Sequence, residues 1–413
     1  MEHLINVLKN RGFIYQATNL KNLEKKMLRC KISAYIGFDC TAKSLHIGSL
    51  VQIMFLRWLQ RFGHQPVILL GGGTTKIGDP SGKDSMRKII RVSEIEANKT
   101  SIKKILTKFL DFNSKNQAII VDNSEWLDQL NFIKFLRDFC SHFSINKMLG
   151  LESVKLRLNK RKSLSFLEFS YSLLQSFDFY YLYNNKNCIL QIGGSDQWGN
   201  IISGIELIRK KMQREVFGVT TPLITTSNGI KMGKTEHGAI WLNSEMLSPY
   251  KYWQFWRNTE DLQVIKFLKL FTDIPLEQID KFSNITGKEL NDAKILLADE
   301  ATKICHGVSA ALHARSISHE IFKMNNITDN FENYKLDTKI INTGIQLFKL
   351  LVLCGFSQSN SDAKRLILGG AIKINNYIIK DISFKIHRND FNEKKVKLSC
   401  GKKKHILIDL ESN

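Results

Sequence analysis

The sequence lacks paired cysteines, metal-ligand spacings and a long apolar run. Its seven cysteines are scattered over 413 residues, with no C-x-x-C pair and no histidine at a ligand spacing from them. That distribution indicates a reducing compartment and argues against a disulfide framework and a structural zinc site. No apolar run approaches the roughly 18 residues of a membrane helix, and the N-terminus, MEHLINVLKNRGFIYQ, has no signal-peptide core and no transit-peptide composition. We therefore expect a cytoplasmic protein with no dedicated metal site and no membrane contact.

Acidic residues are scarce relative to basic ones. Sixty lysines and arginines stand against 39 aspartates and glutamates, which gives a formal net charge of +21. Such an excess favours an anionic partner, most often a nucleic acid. A genome rich in A and T is an alternative explanation, because stretches such as YNNKNC, MNNITDN and KINNYIIKD are rich in Lys, Asn and Ile. Charge alone leaves both explanations open.

Short apolar runs alternate with amphipathic helical patterns from about residue 32 to 225. This alternation predicts an α/β fold, a Rossmann-like, doubly wound parallel sheet. Ligands of such sheets bind beyond the carboxyl ends of the strands, where the helices begin. The segments SAYIGFD, PVILLGGGTT, QAIIVDN and CILQIGG all finish in Gly or Asp clusters. The predicted site therefore lies at that edge of the sheet.

The rest of the chain changes character twice. Helical patterns without a strand run to about 324 from SPYKYWQFWRN, which opens with a Ser-Pro helix start. A polar, acidic stretch then precedes a small basic unit of helix and strand-like alternation, and no internal repeat is visible. The predicted organisation is a Rossmann-like catalytic domain at 1–224, a loop and connector at 225–247, an α-helical domain at 248–324, a linker at 325–342 and a C-terminal module at 343–413.

The segment SLHIGSL stands where a predicted strand gives way to a helix. A helix N-terminus presents unpaired N–H groups and a partial positive charge, so it attracts phosphate. Gly48 would let a base or a phosphate approach the backbone. His46 can donate to a phosphate oxygen, and Ser44 is placed to cap the helix. For this motif alone, a histidine with satisfied hydrogen bonds near a helix start is the alternative.

The glycine-rich segment GGGTTKIGDPSGK does not match a nucleoside-triphosphatase loop. That pattern needs four residues between Gly and Gly-Lys, then Ser or Thr. Here three residues separate Gly78 from Gly82, and an aspartate follows Lys83. The segment instead predicts a strand end that delivers Asp79 into a cleft, with Lys83 and Arg87 behind it.

One helical face in FLEFSYSLLQSFDF carries a polar stripe. Tyr171, Gln175 and Asp178 fall at i, i+4 and i+7, so they share that face. Their neighbours are apolar, which predicts a polar pocket wall for a small zwitterionic or hydroxyl-bearing ligand. A solvated helix face is the alternative.

Two further segments carry polar groups between elements. In QIGGSDQWGN, Gly194 permits close approach, Asp196 can accept from ribose hydroxyls and Gln197 can donate to a polar ligand group. In TTSNGIKMGKTEHG, Lys231 and Lys234 lie three residues apart in a loop rich in Gly, Ser and Thr. Such a loop is either only solvated or a lid that closes cations onto a leaving pyrophosphate.

Taken together and in this order, these segments resemble the class I aminoacyl-tRNA synthetases, and closely the bacterial-type tyrosyl-tRNA synthetases. HIGS stands where that family has its HIGH motif, and KMGKT where it has KMSKS. YIGFD, GDPSGK, EFSYSLLQSFDF and QIGGSDQWGN match the family's tyrosine and ATP segments almost word for word. The resemblance runs from about residue 5 to 405 and includes a C-terminal module similar to a ribosomal-protein RNA-binding fold.

The resemblance implies roles for individual residues. The tyrosine-binding set is Tyr35, Asp79, Tyr171, Gln175, Asp178 and Gln197. The ATP-binding set is Gly37, Asp39, Thr41, His46, Gly48, Gly194, Asp196, Lys231 and Lys234. The catalytic set is Thr41, His46, Ser49, Lys83, Arg87, Lys231 and Lys234. Within the first set, Tyr35 and Asp178 would hydrogen-bond the substrate phenol, whereas the other four would contact its ammonium and carboxylate groups.

The resemblance also implies the reaction and the partners. L-Tyrosine and ATP would form tyrosyl-adenylate and pyrophosphate, and the tyrosine would then pass to the 3′-terminal adenosine of tRNA(Tyr). Mg²⁺ would travel with ATP, and no bound prosthetic group is implied. A homodimer would form through the region near 130–165. Phenylalanine would be rejected, because it would leave Tyr35 and Asp178 without partners.

Three positions depart from the family pattern. Ser49 replaces the second histidine of HIGH, Cys40 replaces a proline, and Lys43 replaces a commonly acidic residue. Serine keeps a hydroxyl donor but is too short to span the same gap to ribose without a water. Losing one such bond costs about 1 to 3 kcal/mol, or roughly 5- to 150-fold in activation rate. A synthetase-derived RNA-binding protein without catalysis is therefore one alternative, and a tryptophan ligase, disfavoured by Tyr35 and Asp178, is another.

Overall fold

The computed structural model describes residues 3–81, 89–225, 232, 234–235, 238–282, 285, 287–323, 332–338, 341, 344–375, 377–391, 395–401 and 404–411. The chain divides into two compact units, one up to residue 311 and one from residue 312 onward. The division falls within one helix, Val308–Lys323.

Helices and strands alternate through the first half of the first unit. Its helices are α1 (Leu4–Arg11), α2 (Leu20–Arg29), α3 (Ile47–Arg61), α4 (Val92–Leu106), α5 (Ser124–Leu127), α6 (Phe132–Asp138), α7 (Ile145–Leu149), α8 (Glu152–Asn159), α9 (Phe166–Lys186), α10 (Trp198–Met212), α11 (Pro249–Arg257), α12 (Val264–Phe271), α13 (Leu276–Asp280), α14 (Gly287–His306) and the start of α15 (Val308–Lys323). Its strands are β1 (Gln16–Ala17), β2 (Ser33–Phe38), β3 (Gln65–Leu70), β4 (Ile119–Asp122), β5 (Cys188–Gly194), β6 (Phe217–Thr221), β7 (Lys234–Thr235) and β8 (Gly238–Ala239).

Six of these strands form one sheet in the order β1-β6-β5-β2-β3-β4. β2 pairs in parallel with β3 and β5, β3 with β4, and β5 with β6, while β1 runs antiparallel to β6. The chain moves outward from β2 to β3 and β4 on one side and from β5 to β6 on the other. The predicted doubly wound parallel sheet is confirmed for β2 to β6, whereas the antiparallel edge strand β1 was not predicted. The switch point of the sheet, where ligands bind in such folds, lies between β2 and β5.

The central strands are covered on both faces. β2 and β3 are buried at every position except Gly37 and Gln65. A strand that packs helices on both faces has a continuous apolar run instead of strict alternation, as SAYIGF and QPVILL do. Tyr35 of β2 packs its ring against Phe179 of α9, with ring centroids 5.3 Å apart.

The polar stripe lies on α9, which has a well-defined start. Ser165 Oγ accepts from Glu168 N at 3.2 Å, and the Glu168 carboxylate accepts from Ser165 N at 3.3 Å, which is a capping box. The same carboxylate is paired with Arg157 of α8, and both side chains are buried. α9 packs along α10 and β5. The cap and the buried ion pair together fix where the stripe begins.

The region predicted as helical, 248–324, contains α11 to α15 and, among its described residues, no strand. α11 begins as its Ser-Pro signal predicts, since Ser248 Oγ accepts from Lys251 N at 3.3 Å. Trp256 of α11 packs on Phe271 of α12, with ring centroids 4.8 Å apart. None of the described helices is long and apolar enough to cross a membrane.

Arg11 of α1 connects the end of α12 to α3. Its guanidinium donates to the carbonyl oxygens of Lys269, Thr272 and Ile274 at 2.9, 3.0 and 2.6 Å. Carbonyls at a helix C-terminus lack helical partners and attract a cation. The guanidinium also lies over the Trp58 ring of α3, 4.1 Å from its centroid. The helical region up to residue 311 therefore belongs to the same compact unit as the sheet.

The second unit is a small α+β structure. Its helices after α15 are α16 (Leu347–Leu353) and α17 (Asn360–Leu368), and its strands are β9 (Glu332–Asp337), β10 (Ile345–Gln346), β11 (Ile372–Ile374), β12 (Tyr377–Ile378), β13 (Lys385–Ile386), β14 (Lys395–Cys400) and β15 (Lys404–Glu411). Five strands form a sheet in the order β12-β11-β14-β15-β9, and β10 pairs with β13. Both helices contribute to the core, through residues such as Leu350, Leu351 and Ile367.

The stretch 325–342, predicted as a linker, contains β9. This strand pairs in parallel with β15, from Glu332 opposite Ile406 to Asp337 opposite Glu411. The linker prediction is wrong for these residues. ENYKLD has only two apolar side chains, too few for an alternation signal, so the strand is identified only by its pairing with β15.

Candidate active site

Side chains from several strand ends meet at the carboxyl edge of the first unit's sheet. Tyr35 lies in β2 and Asp39 just after it, Asn123 follows β4, and Gln197 follows β5. The stripe of α9 reaches the same edge, because Tyr171 Oη donates to Asp39 Oδ2 at 3.1 Å. These side chains therefore lie around the β2–β5 switch point.

Tyr35 and Asp178 form the closed end of this site, and each is only 1% exposed. Asp178 accepts from Trp126 Nε1 at 2.8 Å through one carboxylate oxygen and from Asn123 Nδ2 at 2.9 Å through the other. Tyr35 Oη is buried, and no hydrogen-bond partner for it is found in the described part of the chain. A buried hydroxyl donor beside a buried carboxylate acceptor suits a ligand hydroxyl that both donates and accepts.

Burial controls the protonation of this pair. Burial, followed by the charge of Asp178, raises the pKa of the Tyr35 phenol well above its ordinary value, so Tyr35 is a neutral donor. Burial also raises the pKa of Asp178 to about 7; its two hydrogen-bond donors oppose the rise, and the charges of Asp39 and Asp122 add to it. Asp178 is therefore an ionised acceptor above about pH 7 and takes up a proton below it.

Asn123 and Trp126 are absent from the predicted site. Asn123 is fully buried, and its Oδ1 accepts from Gly73 N at 2.8 Å while its Nδ2 also donates to Thr74 Oγ1 at 3.0 Å. It thus joins the segments after β3 and β4 to Asp178 of α9. The one available signal was the position of VDNSEW after a predicted strand, but polar residues follow most strands.

A chain of hydrogen bonds lines the next part of the site. Gln197 Nε2 donates to Asp79 Oδ2 at 2.8 Å, and Asp79 Oδ1 accepts from Ser81 N at 2.8 Å. Asn200 Nδ2 donates to both Gln197 Oε1 and Gln175 Oε1 at 3.1 Å. Asn200, which the predicted site omits, lies one helical turn after Gln197 and links the segment after β5 to the stripe of α9.

Asp39 lies against the tyrosine-binding set, although it was predicted for ATP. Its Oδ1 accepts from Thr74 Oγ1 at 2.9 Å, and its Oδ2 accepts from Tyr171. Burial raises the pKa of Tyr171 well above its ordinary value, and the charges of Asp39, Asp79 and Asp178 add to the rise. Tyr171 is therefore a neutral hydroxyl among three carboxylates.

His46 is the N-cap residue of α3, and its Nδ1 accepts from the Gly48 N–H at 3.0 Å. A Cβ on residue 48 would lie 2.6 Å from Cε1 of that ring, so the close approach requires glycine. Ser44 does not cap the helix, contrary to prediction. Its hydroxyl donates to the Leu45 carbonyl oxygen at 2.8 Å and accepts from Asn243 N at 3.1 Å. The N-cap position of α3 is residue 46, two residues further along the chain.

The segment after the lysine loop lies against this helix start. Backbone hydrogen bonds of 3.0 and 2.9 Å join residues 45–47 to residues 240–242, with His46 opposite Trp241. Lys234 lies in β7, which pairs with β8 shortly before that contact. Pairing of the backbone therefore brings the end of the loop close to the predicted phosphate site.

The structure describes only some of the remaining predicted ATP residues. Gly194 ends β5, and a Cβ there would lie 2.7 Å from Asp196 Oδ1, so a side chain at 194 would displace the Asp196 carboxylate. Thr41 is exposed and Ser49 is half-buried, with its backbone N–H bonded to the His46 carbonyl at 2.8 Å. Lys83, Arg87 and Lys231 lie outside the described residues, as does the side chain of Lys234, and their roles stay predictions.

Cys40, one of the departures from the family pattern, is integrated into the strand end. Its N–H donates to Thr75 Oγ1 at 2.8 Å, a bond that proline cannot make, and its carbonyl accepts from Asn98 Nδ2 at 2.9 Å. Burial raises the pKa of the Cys40 thiol to about 12, so the thiol is neutral and structural. Lys43 is exposed. No group of three or more His, Cys, Asp or Glu side chains in the described chain is arranged to hold a metal ion.

Two family models match the chain. The model described as tRNA synthetases class I (W and Y) matches residues 27–323, and the Tyrosine–tRNA ligase SYY-like C-terminal domain matches residues 325–408. Two similar curated proteins are the tyrosine–tRNA ligases of Rickettsia conorii and Rickettsia prowazekii, each 50% identical. The first match covers 97% of this chain and 98% of the relative, and the second covers 96% and 97%.

Solved structures agree with these matches. A C-terminally truncated mitochondrial tyrosyl-tRNA synthetase of Aspergillus nidulans is 29% identical with a TM-score of 0.70, over 78% of this chain and 95% of that one. The tyrosyl-tRNA synthetase of Archaeoglobus fulgidus, at 14% identity and a TM-score of 0.56 over 76% and 99% of the two chains, shows the same fold. Because the family models span most of the sequence and half of its residues are identical to those of full-length relatives, the chain belongs to the tyrosine–tRNA ligases of the class I tRNA synthetase family.

Proposed function

We propose that the chain activates L-tyrosine with ATP and transfers the tyrosine to the 3′-terminal adenosine of tRNA(Tyr). The buried pair Tyr35 and Asp178 carries this proposal. A substrate phenol can donate to the Asp178 carboxylate and accept from Tyr35 Oη. Phenylalanine would leave both groups unpaired, and an indole N–H cannot accept from Tyr35.

The tyrosine ammonium group is held by the hydrogen-bonded wall. Asp79 supplies a carboxylate, and Tyr171 Oη and Gln175 Oε1 supply neutral acceptors. Gln197 Nε2, which donates to Asp79 at 2.8 Å, is a donor that can turn to the substrate carboxylate. These groups orient the amino acid with its carboxylate toward the phosphate end.

The first step needs no protein base, because the tyrosine carboxylate is already a nucleophile. Its oxygen attacks the α-phosphorus of ATP in line. A bond from that oxygen to phosphorus forms, the bond from the α-phosphorus to the bridging oxygen breaks, and pyrophosphate leaves with the electron pair. Catalysis then consists of positioning and of stabilising charge on the leaving group. Mg²⁺ enters bound to ATP, as part of the substrate.

The start of α3 supplies part of that stabilisation. His46 Nδ1 accepts from the Gly48 N–H, so the neutral ring carries its proton on Nε2, and this N–H is a donor for a phosphate oxygen. In this proposal Thr41 and Ser49 contribute hydroxyl donors beside His46, and Gly194 and Asp196 hold the ribose. The predicted cations around the pyrophosphate are Lys83, Arg87, Lys231 and Lys234.

Tyrosine-dependent exchange of pyrophosphate into ATP tests the proposal. We expect exchange with tyrosine and background levels with phenylalanine or tryptophan. A folded chain that binds tRNA without any exchange would support the alternative, an RNA-binding protein that has lost catalysis. Exchange with tryptophan in place of tyrosine would instead identify a tryptophan ligase.

We propose that the C-terminal module, 343–413, binds tRNA. Lys364 and Arg365 of α17 are exposed, and Tyr377 of β12 is 74% exposed. Cations bind phosphates, and an exposed aromatic ring can stack on an unpaired base. Deleting residues 343–413 should weaken tRNA binding and flatten its salt dependence while adenylate formation continues. An equal loss of both steps would contradict a separable RNA-binding role.

We propose a homodimer that contacts through the region near 130–165. Large apolar side chains are exposed on α6, α7, α8 and the start of α9: Phe132, Ile133, Leu136, Ile145, Leu149, Leu156, Leu158, Phe166 and Leu167. A patch of this kind marks an interaction surface, and most soluble oligomers are symmetric. Ile133→Asp should shift sedimentation from dimer to monomer, whereas the same change at exposed Ile89, outside the patch, should not.

We propose the cytoplasm as the location. All seven cysteines are free thiols in the structure, including the exposed Cys30. Unpaired cysteines are the usual state in a reducing compartment.

A further inference from the structure

The carboxyl edge of the sheet concentrates negative charge. Asp39, Asp79, Asp122 and Asp178 all lie there, and the last three are at least nine-tenths buried. Asp122 is paired with a lysine. Nζ of Lys99, on α4, donates to Asp122 Oδ2. Asp122 is not part of the substrate contacts proposed above, so this ion pair calls for another explanation.

Lys99 is buried to a degree that is rare for lysine, with 8% of its surface exposed. Its ammonium group also pairs with Glu96 at 2.5 Å, one helical turn earlier. Burial lowers the pKa of Lys99, but the hydrogen bonds to Asp122 and Glu96 outweigh burial and raise it. Lys99 is therefore a positive charge held inside the protein behind the sheet edge.

Asp122 links this charge to the phenol end of the site. Its Oδ1 accepts from Ser124 N at 2.9 Å, and the residue between them, Asn123, donates to Asp178 at 2.9 Å. One short segment is thus anchored by Lys99 on one side and holds the phenol acceptor on the other. The adjacent Asn98 of α4 donates to the carbonyl oxygen that follows β2, so α4 fixes the ends of two strands of the site.

Neighbouring negative charges affect Asp178, the acceptor of the substrate phenol. After burial, the charges of Asp39 and Asp122 raise the pKa of Asp178. Among the residues that the structure describes, the titratable groups that act on Asp178 are Tyr35 of β2, Asp39 after β2, Asp122 of β4 and Tyr171 of α9. Both tyrosines are neutral, so the two aspartates are the charges that disfavour ionised Asp178.

We propose that Lys99 is a positioning residue of the tyrosine subsite: by pairing with Asp122 it offsets part of the charge of that carboxylate, favours ionised Asp178 and holds it in place as the acceptor of the substrate phenol. Lys99 contacts neither the substrate nor the reacting atoms. The inference rests on the proposed tyrosine activation. It adds a specific feature: the buried Lys99 of α4 compensates the negative charge of Asp122, which lies close to the pair Tyr35 and Asp178.

The test compares Lys99→Met with Lys103→Met, which removes the same charge from an exposed position of the same helix. Tyrosine binding to the full chain is measured by calorimetry at pH 6.5 and 8.5. We expect Lys99→Met to weaken tyrosine binding about threefold to tenfold at pH 6.5 and less at pH 8.5. The effect is larger at the lower pH because loss of the nearby positive charge favours protonation of Asp178, whose pKa is about 7. The KM for ATP in pyrophosphate exchange should be unchanged. Lys103→Met should behave as the wild type.

A second pair of variants separates charge from packing. In Asp122→Asn, the pH at which tyrosine binding weakens should be lower than in the wild type. The double variant, Lys99→Met with Asp122→Asn, should have the wild-type pH dependence. If Lys99→Met does not fold, the Asp122→Asn variant carries the test. The proposal is overturned if Lys99→Met binds tyrosine as tightly as Lys103→Met does. It is also overturned if Lys99→Met weakens tyrosine binding equally at both pH values and the double variant shows the same weakening. A third contradicting result is an Asp122→Asn variant whose tyrosine binding has the pH dependence of the wild type. A wild-type chain that neither binds tyrosine nor supports exchange would instead refute the proposed function.

Discussion

The two ends of the site are built in opposite ways. At the phenol end, Tyr35 and Asp178 are each 1% exposed, and the carboxylate is held by two donors. At the phosphate end, Thr41 is exposed and Ser49 is half-buried beside the start of a helix. A buried polar pair discriminates because the wrong ligand leaves it unsatisfied, whereas an open helix start stabilises charge that develops during the reaction. Specificity and rate should therefore respond to different substitutions.

Asp178→Asn should have the largest effect. Trp126 and Asn123 donate to the two carboxylate oxygens, so asparagine would turn its NH₂ group toward one of these donors. We expect a loss of about 2 to 4 kcal/mol, or roughly 30- to 1,000-fold, in kcat/KM for tyrosine. Pyrophosphate exchange measures it, and thermal unfolding checks that the variant is folded. A loss confined to KM for ATP would contradict the separation of the two ends.

Ser49→His tests the phosphate end. The longer imidazole can reach the ribose directly, so the activation rate should rise by about 5- to 150-fold, with little change in KM for tyrosine. Single-turnover formation of tyrosyl-adenylate gives the rate. An unchanged or lower rate would show that the surrounding residues have adapted to serine.

Tyr35→Phe should act on specificity. It removes the hydroxyl that the substrate phenol accepts from and leaves the acceptor Asp178 in place. We expect a loss of about 1 to 2 kcal/mol, or roughly 5- to 30-fold, in kcat/KM for tyrosine. The same variant should lose discrimination against phenylalanine, measured as the ratio of the two kcat/KM values. A ratio equal to that of the wild type would exclude Tyr35 from the phenol contact.

Lowering the pH should weaken tyrosine binding more than ATP binding. Burial raises the pKa of Asp178 to about 7, so its carboxylate is ionised above that pH and protonated below it. The ionised carboxylate can accept from the phenol in addition to Trp126 and Asn123, whereas we expect the protonated form to lose the phenol contact. The dissociation constant for tyrosine should therefore rise about tenfold from pH 8 to pH 6. Calorimetry of tyrosine binding in the absence of ATP measures this. A flat profile would place the pKa of Asp178 outside this range.

The predicted fold and many of the predicted site residues depended on local signals. The alternation of strands and helices indicated the doubly wound sheet, and the helical spacing of Tyr171, Gln175 and Asp178 indicated a common face. Asn123 and Asn200 gave no such signal, because a single polar residue after a strand has no periodicity. Asn123 is 55 residues from Asp178 in the chain, and only their contact identifies it. The strand β9 was missed for a related reason, since its partner β15 lies about 70 residues away.

The sequence by itself determined where the strands and helices of the main sheet alternate, and that the glycine- and aspartate-rich ends of those strands share one edge of a sheet. Those are properties of periodicity and strand direction, which neighbouring residues set. Only the tertiary structure decided that His46 and not Ser44 caps α3, that two donors hold Asp178, and that Lys99 is paired with Asp122. It also decided that burial raises the pKa of Asp178 to about 7. Burial and neighbouring charge come from segments far apart in the chain, and they exist only after the chain has folded.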